Sequence, residues 1–170
     1  MNIFVTDESP YKSAAVLPDK HIVKMPLETC QMLSIVASDK WGHGYGTLPK
    51  KDGTPYATDK GAFRNHPCTI WANETLANTR WLLQHGFALC EEYAARYGKV
   101  HTCFLTLVAA ADIIPGGSLN DHTPFVRAMP EEYKFDDSIT TIEAYKMYIA
   151  SKPWVATNYL RLPHRKPEWV

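Results

Sequence analysis

The sequence feature that most constrains the fold is the recurrence of apolar side chains at intervals of three and four residues. One stretch begins at Asp19, and the clearest one spans about residues 68–97. This spacing places the apolar side chains on one face of an α-helix, whereas strands need a period of two. An apolar run over residues 100–114 and an amphipathic pattern over residues 139–150 extend the series. The sequence therefore predicts a mainly α fold, a compact single-domain helical bundle.

The domain organisation follows from chain length and from the distribution of glycine and proline. The 170 residues, 45% of them hydrophobic, suffice for one core and match a common domain size. Residues 38–67 contain five Gly and three Pro, which predicts a long loop inside one domain spanning residues 1–170. Pro26 is expected to kink or divide the first helix, and Gly86 to break the second. The opening five residues suit either a short strand or an extended arm, and residues 153–170 an extended C-terminal tail.

Charge and composition restrict the partners and the location of the chain. Eighteen Lys and Arg balance eighteen Asp and Glu, whereas proteins that hold duplex DNA usually carry a basic excess. Any DNA binding must therefore use a local patch. The chain has neither an apolar run of about 18 residues nor a signal-peptide pattern, so we expect no membrane partner and a cytoplasmic location. The four cysteines are too far apart for a metal motif and are predicted to be buried free thiols.

The first helix carries a set of chemically useful side chains. His21, Lys24 and Glu28 fall along one face, at spacings of three, four and seven, and Lys20 lies beside them. One helix thus offers an acid, a base and a cation to one cleft. The same spacing also suits a solvated polar face behind a capping Asp19. No metal is expected, because H-E-x-x-H is absent and the interval from His21 to Glu28 spans two turns.

The second helix and its approach carry a second candidate group. Aromatic and hydrogen-bonding side chains alternate there at intervals of three and four, which suits a pocket that stacks a base and reads its edge. A core stripe with polar residues at its wet margin would look the same, and the sequence leaves both open. With Lys20, the candidates for substrate binding are Arg64, Asn65, His66, Trp71, Glu74 and Asn78.

The long loop is the best candidate for contact with phosphates. It interleaves lysines with aromatic residues, a composition typical of nucleic-acid surfaces. Lys50, Lys51 and Lys60 are the predicted phosphate contacts, although an ordinary solvated loop has the same composition. No nucleophile elbow or glycine-rich phosphate loop is present, which argues against serine-hydrolase, kinase and Rossmann classes. No cofactor is expected.

Several segments resemble the endonuclease V-type pyrimidine-dimer DNA glycosylases of phages. The run Leu17-Pro18-Asp19-Lys20-His21-Ile22-Val23, followed by Glu28, is similar to their opening helix. His66 leading into an aromatic-rich helix, residues 129–134 and Pro153-Trp154 occur in the same order as in that family. The resemblance implies an all-α fold and glycosidic-bond cleavage coupled to an abasic-site lyase step. In that scheme the chain's α-amino group forms a Schiff base, Glu28 stabilises the cationic sugar and moves protons, and His21 positions phosphate or substrate.

The chain also departs from the family pattern. Residue 2 is Asn rather than a small residue, so Met1 is expected to be retained, and the nucleophile is then either the Met1 amine or a nearby lysine. Lys24 is the predicted lysine, expected to be partly desolvated. Leu27 and Gln31 stand where the family has cations. The long loop points to a different substrate, such as a modified base or a free nucleotide.

Three functions remain open from the sequence. The first is a DNA glycosylase and abasic-site lyase acting on damaged or modified pyrimidines, which the basic loop favours. The second is an enzyme of the same fold acting on a small nucleotide or nucleobase, which the neutral charge favours. The third is a non-catalytic phage accessory protein that binds a nucleotide, and it would lack a cleft at Glu28. We expect His21, Glu28 and His66 to converge in one cleft, while the oligomeric state stays undetermined.

Overall fold

The computed structural model describes all residues 1–170 and consists of helices joined by loops. Its only β pairing is an isolated bridge between Pro49 and Pro55. The prediction of a mainly α fold is therefore confirmed. The α-helices are α1 (Pro10–Ala15), α2 (Asp19–Ala37), α3 (Pro67–Glu74), α4 (Leu76–Tyr97), α5 (Phe104–Ile113), α6 (Glu131–Lys134) and α7 (Thr141–Ala150), and two 3-10 turns follow at Val155–Thr157 and Pro163–Arg165.

The two long helices, α2 and α4, pack against each other at the centre, and α1, α3 and α5 pack around them. The apolar positions that predicted these helices form one buried cluster, which removes them from water and supplies the main driving force for folding. Members of this cluster include Ile22, Leu33, Trp81, Leu82, Leu89 and Leu107. No helix is both long enough and apolar enough to cross a membrane.

Pro26 does not divide the first long helix, since α2 runs unbroken from Asp19 to Ala37. The other expected effect, a kink at Pro26, stays a prediction. A proline inside a helix costs about 3 kcal/mol because it removes one hydrogen bond and clashes with the preceding turn. Residues on both sides of Pro26, among them Ile22 and Leu33, are buried in the same core. This shared packing holds the two halves of α2 together.

The predicted second helix is divided, but at Thr75 rather than at Gly86. Thr75 has an extended backbone, with φ −138° and ψ 156°, and its side chain accepts the N–H of Asn78, so it ends α3 and caps α4. Gly86 lies inside α4 where that helix approaches its neighbours closely. A Cβ atom there would lie 2.9 Å from Leu107 Cδ2 and 2.9 Å from Thr29 Cγ2. Gly86 therefore serves close helix packing.

Gly86→Ala is expected to lower the free energy of unfolding by up to about 2 kcal/mol. Alanine favours a helix over glycine by about 1 kcal/mol, but the added methyl group overpacks a close contact among α2, α4 and α5, at a cost of about 1–3 kcal/mol. Urea unfolding of the variant and the parent protein measures the difference. A more stable variant would show that Leu107 and Thr29 give way without strain.

The two ends of the chain pack against the helices. Residues 1–5 form an arm without strand pairing, in which the backbone turns at Phe4 with φ 41°, and Ile3 and Val5 are buried. The C-terminal tail lies against the start of α2, where the Asp19 carboxylate accepts the N–H of Leu160 at 2.9 Å. The buried Arg96 guanidinium pairs with Asp19 and with Glu92 and so joins α4 to this junction. Asp19 is the first residue of α2 and anchors the tail, while Pro18 occupies the cap position.

Candidate active site

The N-terminal arm and α2 meet at the Glu28 carboxylate. Glu28 is 6% exposed, and its Oε2 atom accepts the backbone N–H of Asn2 at 2.9 Å. The amino group of Met1 lies 3.6 Å from the same oxygen, and Lys24 Nζ lies 3.4 Å from Oε1. One carboxylate is thus held between two amines, and each amine is a potential nucleophile.

The carboxylate faces a cavity of about 350 Å³, a size within the range of small-molecule sites. It brings together four residues that the sequence singled out, Lys20, His21, Lys24 and Glu28. The other lining residues come from α2, from the arm, from the end of α7 and from the tail, and of these the sequence offered only the Met1 amine as part of the site. These are Met1, Asn2, Phe4, Met25, Tyr148, Lys152 and Trp154.

Asn2 fixes the position of the first residue. Its side-chain oxygen accepts the N–H groups of Ile3 and Phe4, at 2.7 and 3.1 Å. Its side-chain amide donates to the carbonyl of Ala128 at 2.6 Å. The larger residue that departs from the family pattern is therefore a buried anchor for the arm, and it directs the Met1 amine at Glu28.

His21 forms one wall of the cavity as a neutral imidazole. Its ring stacks on Phe4 with a centroid distance of 4.0 Å and meets Trp154 edge-on. Burial, followed by the charges of Lys152 and Lys24, lowers the pKa of His21 to about 3. The ring is therefore neutral at physiological pH, and its buried Nδ1 atom has no hydrogen-bond partner within the protein.

Two further ammonium groups line the cavity without a carboxylate partner. Lys20 Nζ lies 4.3 Å from the ring centroid of Trp154, and Lys152 Nζ lies 4.3 Å from that of Tyr148. Only Lys24 among the three lysines of the cavity forms an ion pair with Glu28. The cavity therefore carries an excess of positive charge, which suits an anionic ligand such as a phosphate.

His66 does not line this cavity, although it was expected to converge there with His21 and Glu28. Its Nδ1 atom accepts the N–H of Cys68 at 3.1 Å and so caps the start of α3. Burial and the nearby positive charge of the N-terminus lower the pKa of His66. The nearby Glu28 charge acts in the opposite direction, so the imidazole caps a helix start close to the site although it does not line the cavity.

Three other predicted substrate-binding residues lie at the junction of α3 and α4. Trp71 and Glu74 line a separate groove of about 430 Å³. Asn78 is fully buried and donates to the carbonyl of Trp71 at 2.7 Å and to Thr123 Oγ1 at 2.8 Å. Asn78 therefore holds the junction together, and none of the three shares a cavity with Glu28.

The residues of the long loop that were predicted to bind phosphate or substrate lie in two separate places. Lys50 and Lys51 line a third cavity, of about 470 Å³, which also includes Lys24 and therefore borders the active-site cavity. Lys60 lies on another part of the loop, where its carbonyl accepts a hydrogen bond from Arg64, whose guanidinium stacks on Trp41. Asn65 is exposed beside them and lines neither cavity. No three His, Cys, Asp or Glu side chains are grouped in a way that could hold a metal ion.

An all-α domain with a buried carboxylate, a fixed N-terminal amine and a cationic pocket has the features of an enzyme that acts on a phosphate-bearing substrate. The family model of pyrimidine dimer DNA glycosylases matches residues 1–105, well over half of the chain. The chain therefore belongs to the pyrimidine dimer DNA glycosylase family, as the resemblance of its opening helix indicated. Membership implies DNA glycosylase activity in DNA repair and a DNA substrate. Searches of curated proteins and of solved structures gave no match.

Proposed function

We propose that this chain is a DNA glycosylase with an abasic-site lyase step, acting on damaged or modified pyrimidines, with the α-amino group of Met1 as its nucleophile. The observation that carries the proposal is the 3.6 Å contact between the Met1 amine and Glu28 Oε2. Both groups lie in the cavity of about 350 Å³ beside an excess of lysines. If the Met1 amine is the nucleophile, the chain does not need a small residue that becomes N-terminal after removal of Met1.

The chemistry needs an amine and a carboxylate in these positions. Glu28 accepts a proton from the Met1 ammonium, and the free amine attacks C1′ of the nucleotide. The bond from C1′ to the base breaks, and the base leaves with the bonding electrons and takes up the proton that Glu28 had accepted, which restores the Glu28 carboxylate. The negative charge of Glu28 stabilises the cationic sugar. The bound amine then gives up a proton, the C1′–O4′ bond breaks and O4′ takes up a proton, which leaves a protonated Schiff base at C1′. Loss of a proton from C2′ of this Schiff base expels the 3′-phosphate.

Met1 is better placed than Lys24 for this attack. The Met1 side chain is 5% exposed and its backbone is held by Asn2, whereas the Lys24 side chain is 70% exposed. The sequence had favoured Lys24 on the expectation of partial desolvation, which this exposure contradicts. A nucleophile gains from a fixed orientation because less entropy is lost on reaching the reactive geometry. Lys24 is then a cation that orients Glu28 and attracts the substrate.

Two residues of the cavity wall are suited to holding the phosphates that flank the sugar. Lys152 has no carboxylate partner, and its ammonium lies over the Tyr148 ring. His21 is neutral at physiological pH and offers a hydrogen bond without adding charge. Lys152 on the cavity wall is suited to contact a phosphate, and the Glu28 carboxylate is suited to stabilise positive charge on the sugar between the two phosphates.

A polymeric substrate is favoured over a free nucleotide by the adjoining cavity of about 470 Å³ that Lys50 and Lys51 line, here called the loop cavity. Lys50 and Lys51 extend the positive surface beyond the active-site cavity, and Lys24 belongs to both. A single nucleotide would leave this second surface unused. The non-catalytic alternative predicts no cleft at Glu28, and the cavity there supports an enzyme instead.

Replacement of Lys50 and Lys51 by alanine is expected to weaken DNA binding and to reduce its salt dependence. Each phosphate contact contributes about 0.9 to the slope of log K against log salt concentration, so loss of two contacts should lower that slope by about 1.8. Fluorescence anisotropy with a labelled duplex, titrated over a range of salt, measures both quantities.

The matched control is the replacement of Lys12 and Lys134, which are exposed and line neither of these two cavities. It removes the same charge and is expected to leave the slope nearly unchanged. Equal slopes for the Lys50 and Lys51 variant and the parent protein would assign those lysines to a solvated loop surface.

A further inference from the structure

Three of the four cysteines come close together in the core, on three different elements. Cys30 lies in α2, Cys90 in α4, and Cys103 at the cap position of α5. Cys30 Sγ lies 3.8 Å from the carbonyl oxygen of Cys103, to which its thiol donates. Cys103 also lines the loop cavity, whereas Cys30 and Cys90 do not. We propose that Cys103 is a reactive thiol, oxidised by small peroxides that enter the loop cavity, and that Cys30 then closes a disulfide with it.

A histidine beside Cys103 is held in one tautomer by two contacts with the backbone. His101 Nε2 lies 2.9 Å from the carbonyl oxygen of Val23, which only accepts, so Nε2 carries the proton. His101 Nδ1 accepts the backbone N–H of Cys103 at 3.0 Å. The lone pair of Nδ1 is therefore engaged by the backbone of Cys103, which fixes the imidazole beside this residue.

The thiols differ in their readiness to ionise. The interaction with Cys30, followed by that with His101, lowers the pKa of Cys103, although burial opposes this. The same pairing raises the pKa of Cys30, which therefore stays a thiol and donates. Burial raises the pKa of Cys90 and of Cys68 to about 12. Because the thiolate is the nucleophile, Cys103 is distinguished from the other three.

The cavity determines which reactants reach Cys103. Cys103 is 4% exposed, so access is through the cavity of about 470 Å³ and favours small molecules. Lys24, Lys50 and Lys51 line the same cavity. Cys90, equally buried and close by, lacks both the opening and the histidine.

The oxidation balances with hydrogen peroxide as the oxidant. The Cys103 thiolate attacks one peroxide oxygen, an S–O bond forms, the O–O bond breaks, and the released hydroxide takes up the thiol proton to give water. The Cys30 sulfur then attacks the sulfenic sulfur, and the S–S bond replaces the S–O bond. The leaving hydroxide takes the Cys30 proton as a second water. The two thiols supply the two electrons that reduce the peroxide.

Peptide mass spectrometry of the folded full-length chain after exposure to hydrogen peroxide tests this proposal. Remaining thiols are alkylated after unfolding. The expected product is a disulfide between Cys30 and Cys103, with Cys68 and Cys90 still alkylated. In the same sample Cys103 should be consumed at least about ten times faster than Cys90, as expected for a thiol of much lower pKa.

Two serine variants separate the two steps. Cys30→Ser should stop the reaction at a sulfenic acid on Cys103, trapped by dimedone, whereas the control Cys90→Ser should form the disulfide at the parental rate. The proposal is overturned if Cys103 in the parent protein is consumed no faster than Cys90, or if no disulfide joins it to Cys30. This readout uses the unmutated chain and does not depend on the folding of any variant.

Discussion

Glu28→Gln is expected to reduce base release by about 10²–10⁴-fold, the range typical of losing a general acid-base group. Glutamine keeps the size of glutamate and retains an oxygen that accepts the N–H of Asn2, so the arm should stay in place. It lacks the charge that stabilises a cationic sugar, and it cannot take a proton from the Met1 ammonium. The fold should therefore survive while turnover is lost.

Single-turnover base release from an oligonucleotide carrying a pyrimidine dimer measures this effect, and circular dichroism with thermal melting checks the fold. Glu91→Gln is the matched control, because Glu91 is an exposed carboxylate on α4 that does not line the active-site cavity. It should retain parental activity. A Glu28→Gln variant that is folded and nearly as active as the parent protein would exclude the carboxylate role.

One alanine added before Met1 is expected to reduce strand cleavage at abasic sites by about 100-fold or more. Consecutive Cα atoms are about 3.8 Å apart, so the extension moves the amine away from its 3.6 Å contact with Glu28. The fixed geometry that favours attack on C1′ is then lost. Because Met1 is packed beside Thr69 and the cavity has limited room, the added residue cannot easily be accommodated.

Cleavage of an abasic oligonucleotide by the extended and the parent proteins measures the loss, after intact mass has established the first residue of each. The control carries the same alanine after Val170, at the other end of the chain, and should be fully active. Undiminished cleavage by the N-terminally extended protein would show that the Met1 amine is not the nucleophile.

The parts of the fold that could be predicted are those that local sequence determines. The long helices α2 and α4 carry apolar side chains at helical spacing, and their burial follows directly. The break at Thr75 escaped prediction because a threonine cap depends on the hydrogen bond to Asn78 rather than on a glycine or proline. Gly86 was misinterpreted because its neighbours come from other helices, where close packing rather than backbone freedom selects glycine.

The candidate site, too, was predictable only where its residues are close together in the sequence. His21, Lys24 and Glu28 lie on one helix, so their spacing alone predicts that they share a face. The walls formed by Tyr148 and Trp154 depend on where α7 and the tail fold back, which no local pattern specifies. Residue 2 was read as a departure that made the amine doubtful.

In the fold, the side chain of Asn2 satisfies the backbone of its own arm and directs the amine to the carboxylate. This function requires contacts with residues more than a hundred positions away, such as Ala128. It becomes visible only when the arm is seen in place against the helices.

Borohydride trapping on an abasic oligonucleotide, followed by peptide mass spectrometry, tests the central claim most directly. Reduction converts a Schiff base into a stable adduct, and its mass locates the amine that formed it. The Met1–Glu28 contact predicts one adduct, on the N-terminal peptide at the Met1 α-amine, with trapping retained in Lys24→Ala. An adduct on Lys24, or no adduct with a substrate that the protein cleaves, would contradict the assignment of Met1 as the nucleophile.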